Sequence, residues 1–224
     1  MTTLSLPGPP TNGWIVLIGG GEFSFGETAE IDRFLLEKMP AGRKRIAFIP
    51  TASGSPDYAG HLGAYFRQID PSLETINVPV YRARDLRRGR NLDAIRSAGL
   101  VYIGGGVTRL LADTLRETPT EEAMREALAA GAVVAGIGAG AAALGSWATD
   151  QERPGGAVRG FGWIPGAAIE TMFDPQQSEP LRRLMSLPEV SLGIGIPRGT
   201  ALGIAPDRTG TIVGEGQVAV VRRG

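Results

Sequence analysis

Residues 133–144, VVAGIGAGAAAL, have the composition and glycine spacing of a turn that presents a catalytic side chain. The β-branched run that ends at Gly136 and the alanine-rich stretch that follows Gly140 predict a buried strand, a tight turn and the start of a helix. This order is the outline of a nucleophile elbow, G-x-S-x-G, whose central serine is held at a strained corner with positive φ. The central residue here is Gly138. The sequence therefore predicts positive φ at Gly138 but no hydroxyl that could attack a substrate.

The composition excludes several other kinds of chemistry. The chain has no cysteine and one histidine, His61, which excludes thiolate sites, cysteine nucleophiles and multi-histidine metal sites, and we expect neither a metal nor a cofactor. The 23 basic residues balance the 23 acidic ones, which disfavours nucleic acid and anionic membranes as partners. No apolar run approaches the roughly 20 residues of a membrane span, and the first residues lack a signal-peptide pattern. A cytoplasmic location is the expectation.

Other side chains could take over the missing chemistry. His61 lies at the border of the apolar stripe of a predicted helix, which favours a partly buried structural histidine over a relocated base. Thr51, Ser53 and Ser146 carry hydroxyl groups, but Thr51 and Ser53 lie in a strand-to-helix turn, where such residues cap the backbone. Arg109 follows a glycine turn and could face an anionic ligand, with solvent or an internal salt bridge as the alternative.

The elements around these residues follow from the apolar pattern. Continuous apolar runs alternate with helical patterns at residues 14–18, 45–50, 74–80, 100–103 and from 133 onward. Because such runs are typical of strands covered on both faces, the sequence predicts an α/β fold with three α/β/α layers and a mostly parallel, doubly wound sheet. Short runs near the C-terminus predict an antiparallel extension. We expect a flexible tail at residues 1–13 and a single domain at residues 14–224.

Four turns follow the predicted strands, at residues 19–22, 51–55, 104–106 and 136–140. In open parallel sheets, ligands bind at the edge where the carboxyl ends of the strands meet. We therefore expect the four turns to converge on one cleft. In the second turn, Ser55 and Pro56 are predicted to cap and begin the helix that follows.

Several segments together resemble one known family. These are LIGGGE, AFIPTAS, YIGGGVTRLL and GIGAGAAAL, followed by GFGWIPGAAIETMF and LGIGIPRGTALGI. The set resembles the cyanophycinase and aspartyl dipeptidase (peptidase E) serine peptidases, which have the fold of class I glutamine amidotransferases. The resemblance extends over residues 14–221.

The resemblance implies where the catalytic groups of the family would lie in this chain. Gly138 stands at the position of the nucleophile and Met172 at that of the histidine base, so neither group is present, and Asp150 or Glu152 is the candidate acid. Pro197-Arg198-Gly199 replaces an acidic stretch of the family pattern. The residues that the resemblance assigns to an oxyanion hole or ligand cleft are Gly20, Gly21, Glu22, Ser53, Gly105, Gly106, Ala139, Glu170 and Arg198.

These departures predict a serine-peptidase-like protein without the family mechanism. A serine attacks only when a base takes its proton, and neither glycine nor methionine can serve in these roles. We expect the glycine-lined cleft to bind a small acidic or peptide-like ligand, or the chain to bind a protein partner. The alternative is an active serine-type peptidase or amidase that hydrolyses aspartyl or other small peptides through an unrecognised nucleophile. Homo-oligomerisation through a sheet edge or the C-terminal strands stays open.

Overall fold

The computed structural model describes residues 4–53 and 57–223 and arranges them in two β-sheets with covering helices. The strands are β1 (Leu4–Ser5), β2 (Ile15–Ile18), β3 (Arg45–Ile49), β4 (Glu74–Asn77), β5 (Leu100–Ile103), β6 (Val133–Ile137), β7 (Gly145–Thr149), β8 (Ala157–Arg159), β9 (Ile164–Thr171), β10 (Leu192–Ile196), β11 (Thr200–Ile204), β12 (Thr209–Gly214) and β13 (Ala219–Arg222). The helices are α1 (Ala29–Lys38), α2 (Tyr58–Ile69), α3 (Gly89–Arg96), α4 (Thr108–Leu115), α5 (Pro119–Ala129), α6 (Ala139–Leu144) and α7 (Glu179–Met185). In the described part of the chain, no helix has the length and apolar character needed to cross a membrane. The predicted cap at Ser55 and Pro56 lies outside the described residues.

The larger sheet has eight strands in the order β1-β12-β11-β2-β6-β5-β3-β4. Its strands are parallel from β2 through β6, β5 and β3 to β4. On the other side of β2, strands β11, β12 and β1 continue the sheet in antiparallel pairs. The predicted α/β class, with a mostly parallel sheet and an antiparallel C-terminal extension, is confirmed.

Alternate side chains of the central strands enter two apolar cores, one on each face of the larger sheet. On β2, Ile15 and Leu17 belong to the core that α3, α4 and α5 complete, whereas Val16 and Ile18 belong to the core that α1 and α2 complete. All four side chains are at most 1% exposed. Covering of both faces explains why this strand is a continuous apolar run, and it produces the three predicted layers.

A second sheet of five strands, in the order β13-β10-β9-β7-β8, was not predicted. Strand β9 is parallel to both β7 and β10, and β8 and β13 are antiparallel strands at the two edges. Helix α7 packs against this sheet through Leu181 and Leu184 in a small separate core. The C-terminal strands thus divide between two sheets, because β11 and β12 join the larger one.

The N-terminal segment contradicts the expected flexible tail. Leu4 and Ser5 pair with Gly210 and Thr209 of β12, and the N–H of Leu6 donates to the carbonyl of Arg208 at 3.0 Å. Leu6 is 3% exposed within the main apolar core. The expectation is therefore wrong for residues 4–6, because two leucines gain burial that the surrounding Pro/Gly composition does not reveal.

Between β6 and α6 the chain turns tightly at Gly138, which has a φ of 54°. The predicted positive φ is confirmed. A Cβ on Gly136 would collide with the backbone of Gly140, so position 136 accepts only glycine. A Cβ on Gly138 would have open space, since its nearest neighbour would be the Cα of Gly105 at 3.9 Å.

Candidate functional site

A cavity of about 280 Å³ lies at the carboxyl ends of the parallel strands. Each of the four turns contributes to its wall, although Gly54 and Ser55 of the second turn lie outside the described residues. The lining residues are Gly20, Gly21, Phe48, Ser53, Tyr58, Gly104, Gly105, Ile137 and Gly138. Turns that are far apart in sequence meet here because the carboxyl ends of parallel strands share one edge of the sheet.

Gly138 and Met172, the positions implied for the nucleophile and the base, flank the end of β2. The N–H of Gly138 donates to the carbonyl of Ile18 at 3.0 Å, and the N–H of Met172 donates to the carbonyl of Gly19 at 2.7 Å. Two consecutive carbonyl groups at one strand end therefore fix both backbone positions beside the cavity.

The side chain of Met172 covers the glycine turn after β2. Its sulfur occupies the space that a Cβ on Gly20 would take, and the residue is 54% exposed with a φ of 54°. Met172 is not among the residues that line the cavity. A thioether is flexible and apolar, and it cannot act as a general base that takes a proton from a hydroxyl.

The hydroxyl groups considered as substitute nucleophiles have structural roles. Thr51 is 1% exposed, and its hydroxyl donates to the carbonyl of Val80 at 2.9 Å. The hydroxyl of Ser53, which lines the cavity, donates to the carbonyl of Pro50 at 3.3 Å. Ser146 donates to the carbonyl of Ile164 at 3.3 Å.

His61 is exposed on α2, so the prediction that it is partly buried is wrong. A residue at the border of an apolar stripe can be either partly buried or exposed, and the sequence alone did not distinguish the two. It does not line the cavity, and the lining residues include no histidine, lysine, arginine or carboxylate. Within the described part of the chain, the cavity wall therefore contains no general base that could activate a hydroxyl at neutral pH.

The two candidate acids have different surroundings. The Asp150 side chain is 1% exposed and accepts hydrogen bonds from the Nε and Nη2 atoms of Arg109. These bonds from Arg109 lower the pKa of Asp150. Glu152 is exposed, and its backbone N–H donates to Asp150 at 3.2 Å. Of the alternatives considered for Arg109, the structure has the internal salt bridge.

Glu170 and Arg198 also have partners of their own. The Thr149 hydroxyl donates to Glu170, and burial raises the pKa of the Glu170 carboxyl. Arg198 forms a two-point ion pair with Glu27, at 3.0 Å from Nε and 2.6 Å from Nη2. Neither Glu170 nor Arg198 lines the cavity.

The backbone of the cavity wall offers hydrogen-bond donors. Within the described residues, the N–H groups of Gly20, Gly21 and Gly105 have no acceptor. Such groups bind carbonyl or carboxylate oxygens without any side chain. Gly106 and Ala139, which the resemblance also assigned to the cleft, do not line it: Gly106 packs against the carbonyl of Ala52, and Ala139 is 2% exposed.

The aromatic part of the wall was missed by the sequence reasoning. Phe48 and Tyr58 line the cavity with their ring centroids 5.5 Å apart, whereas the lining residues Gly104 and Ile137 belong to turns that were predicted to converge there. The available signal was the position of Phe48 near the end of a predicted strand. The Tyr58 ring also packs edge-on against Phe23 at 5.5 Å.

A buried carboxylate lies behind this aromatic wall. Asp32 is 1% exposed and accepts hydrogen bonds from the hydroxyls of Thr28 and Tyr65, at 2.8 and 2.9 Å. Its second oxygen has no hydrogen-bond partner in the described residues. Burial raises the pKa of Asp32 to about 6, and burial together with the charges of Glu22 and Asp32 raises the pKa of Tyr58 to about 12.

Comparisons of the sequence with known proteins agree with the resemblance. The sequence model of peptidase family S51 matches residues 15–212. The chain is 30% identical over 198 residues to the uncharacterized peptidase YgaJ of Bacillus subtilis (strain 168), covering 87% of this chain and 84% of that protein. It is 28% identical over 222 residues to the cyanophycinase of Geminocystis herdmanii (strain PCC 6308), covering 92% and 79% of the two chains.

Solved structures lead to the same family. A peptidase from an acI-B1 Actinobacterium superposes with a TM-score of 0.77 at 28% identity, covering 95% of this chain and 91% of that one. A putative peptidase E protein from Listeria monocytogenes EGD-e superposes with a TM-score of 0.59 at 14% identity, covering 95% and 99%, which shows a shared fold. The sequence-based recognition of the family is confirmed.

Proposed function

This chain belongs to peptidase family S51, and on that premise we propose that it is a peptidase-like protein that binds a small acidic or peptide-like ligand without hydrolysing it. The observation that carries the proposal is the pair Gly138 and Met172, the positions at which the resemblance implies the serine and the histidine of the family mechanism, and both flank the end of β2 beside the cavity. Loss of either group from a serine peptidase lowers kcat by about 10⁶.

Binding is supported by the parts of the site that need no side chain. The N–H groups of Gly20, Gly21 and Gly105 are available for a carbonyl or carboxylate oxygen of a ligand. The cavity of about 280 Å³ has room for a group of the size of one amino-acid side chain. The N–H groups that bind a ligand oxygen would thus lie next to the cavity that holds a ligand side chain, and a peptide-like ligand requires both.

The test is a hydrolysis assay on a panel of dipeptides that includes aspartyl peptides, read by mass spectrometry. The unaltered chain is assayed beside the double variant Gly138→Ser/Met172→His. We expect no cleavage by the unaltered chain and measurable cleavage by the double variant. Cleavage by the unaltered chain in proportion to its concentration would overturn the proposal.

A second candidate, an active hydrolase, is favoured by one observation: Ser53 lines the cavity. An active serine in the wall would react with a fluorophosphonate probe, and the adduct would disappear in Ser53→Ala. Labelling that Ser53→Ala abolishes would favour this candidate over the binding protein. Absence of labelling would exclude a reactive serine.

A further inference from the structure

The cavity wall has an apolar and aromatic character that bears on which ligand it can hold. Phe48, Tyr58 and Ile137 supply the side chains of the wall, and the remaining lining residues apart from Ser53 are glycines. The thioether of Met172 adds an apolar surface over Gly20 at the edge of this wall. When an apolar group enters such a cavity, apolar surface of the group and of the wall is removed from water. This burial stabilises the complex by roughly 25 cal/mol for each Å² buried.

The charges around the cavity disfavour an acidic group inside it. Among the residues that the structure describes, no lysine or arginine lines the cavity. Arg198 lies on the loop that approaches the same turn, since the N–H of Gly199 donates to the carbonyl of Gly20. The guanidinium of Arg198 is already paired at two points with Glu27. A carboxylate in the cavity would therefore lose its hydration without gaining a counter-ion.

Glu22 supplies a negative charge next to the cavity. It follows the lining residues Gly20 and Gly21 directly and precedes Phe23, whose ring packs against that of Tyr58. Its carboxylate makes no hydrogen bond or ion pair within the described residues, and the side chain is half-buried.

The backbone that carries Glu22 is held in place. Its N–H donates to Glu27 at 2.7 Å, and Glu27 is in turn held by Arg198. The charge of Glu22 acts on Tyr58, which lines the cavity, and on Arg198, whose guanidinium already donates to Glu27 at two points. The Glu22 carboxylate itself accepts no hydrogen bond from the described residues, which leaves it able to bind a ligand cation.

We infer, on the basis of the proposed binding function, that the ligand places an aromatic or branched aliphatic side chain in the cavity and a protonated amine beside Glu22. This chemistry describes a peptide or amino-acid derivative with a free amino terminus and an apolar first side chain. Its carbonyl oxygen has the backbone donors of Gly20, Gly21 and Gly105 within the same site. Of the two ligand classes in the proposed function, the peptide-like class is retained and an acidic side chain is disfavoured.

The test measures binding of three probes by isothermal titration calorimetry at pH 6.5, where an α-amine is protonated. The probes are L-phenylalaninamide, its N-acetyl derivative, which has no charged amine, and the α-amide of L-aspartic acid, which has an acidic side chain. We expect L-phenylalaninamide to bind about fivefold tighter than the N-acetyl derivative, the effect of one exposed ion pair. We expect the aspartic acid amide to bind at least about tenfold more weakly than L-phenylalaninamide.

Three variants locate the recognition. Glu22→Gln should bind L-phenylalaninamide and its N-acetyl derivative with about equal affinity. The matched control is Glu30→Gln, which changes an exposed glutamate on α1 and should keep the preference for the free amine. Gly105→Leu should weaken both phenylalanine probes because its side chain would enter the cavity. Of the described atoms, only the carbonyl oxygen of Ile137, at 3.4 Å, would lie within 4 Å of the new Cβ. Thermal unfolding of this variant checks that it is folded.

The outcomes separate this inference from the proposed function. Equal or tighter binding of the aspartic acid amide, an unchanged amine preference in Glu22→Gln, or no binding of L-phenylalaninamide at millimolar concentrations would each overturn the inference. Binding of the aspartic acid amide alone, weakened by Gly105→Leu, would overturn the inference and support the proposed binding function. Hydrolysis of any of the amides would overturn the proposed function instead.

Discussion

The sulfur of Met172 occupies the space that a Cβ on Gly20 would take. The two residues are 152 positions apart in sequence and meet because the N–H of Met172 donates to the carbonyl of Gly19. The contact joins the end of β2 to the segment after β9, and it therefore ties the larger sheet to the second one at the edge of the cavity. Met172, which stands where the resemblance implies a histidine, thus has a structural contact with the glycine turn.

Gly20→Ala tests this contact. Gly20 has a φ of 138°, which L residues rarely adopt, and the added methyl group would also displace Met172. We expect a loss of about 2–3 kcal/mol in the free energy of unfolding, measured in urea. Gly26→Ala is the matched control, because Gly26 has a φ of 76° and a Cβ added there would meet no described atom within 4 Å, and it should lose only about 1 kcal/mol.

The double variant Gly20→Ala/Met172→Ala separates the two causes of that loss. Removal of the thioether gives the new methyl group room but leaves the backbone strain. We therefore expect Gly20→Ala to cost less in the Met172→Ala background than in the natural chain. An identical cost in both backgrounds would contradict a role for Met172 in excluding a side chain at position 20.

Gly138→Ser and Gly136→Ser should differ sharply although they lie two residues apart. A Cβ on Gly138 would have its nearest described neighbour, the Cα of Gly105, at 3.9 Å, so Gly138→Ser should fold and lose about 1–3 kcal/mol through its strained backbone at a φ of 54° and a ψ of −115°. A Cβ on Gly136 collides with the backbone of Gly140, and that variant should lose about 4 kcal/mol or more. Urea unfolding of both variants checks the prediction, and equal losses would contradict it.

The parallel part of the fold could be predicted from sequence because its central strands β2, β5 and β6 are continuous apolar runs. Strand β5 at Leu100–Ile103, for example, begins and ends at the predicted residues. The second sheet could not be predicted in this way. The run at β10 shows a buried strand, but it does not show whether its neighbour is β9 or β11, since that choice depends on contacts far apart in sequence.

The backbone part of the candidate site followed from the glycine turns, whereas its side chains did not. Phe48 and Tyr58 have the same apolar pattern whether they fill a core or line a cavity, and only the structure distinguishes the two. The pairing of Arg109 with Asp150 joins residues 41 positions apart, and the sequence left a salt bridge as one alternative among three. Side-chain partners of this kind depend on the tertiary fold.

Arg109→Leu should destabilise the chain more at pH 7 than at pH 3. In the natural chain, Arg109 lowers the pKa of Asp150, so the pair stabilises the fold above the unfolded pKa of the carboxyl, and this contribution is lost as the pH falls through the folded pKa. Without Arg109 the Asp150 carboxylate is buried without its partner at pH 7. We expect a clearly lower melting temperature at pH 7 and a smaller difference at pH 3, measured by calorimetry.

The control for this prediction is the double variant Arg109→Leu/Asp150→Asn. Its neutral amide needs no counter-ion, so the double variant should melt above Arg109→Leu at pH 7. A melting temperature equal to that of Arg109→Leu would contradict the assignment of the loss to an unpaired carboxylate.

Asp32 predicts the opposite dependence on pH. Burial raises its pKa from 3.8 to about 6, so the folded chain binds a proton more tightly than the unfolded chain does. The contribution of Asp32 to the free energy of unfolding is therefore most favourable below about pH 4. This contribution decreases as the pH rises from about 4 to about 6. A shift of this size corresponds to about 2–3 kcal/mol in the free energy of unfolding.

Asp32→Asn removes this titration and keeps an oxygen that can accept from Thr28 or Tyr65. We expect the free energy of unfolding of Asp32→Asn, relative to the natural chain, to become more favourable by about 2–3 kcal/mol between pH 4 and pH 7. Urea unfolding at several pH values measures the difference, and Asp113→Asn, an exposed aspartate on α4, should follow the natural chain throughout. A constant difference between Asp32→Asn and the natural chain across this range would show that Asp32 titrates in the folded chain as it does in the unfolded one.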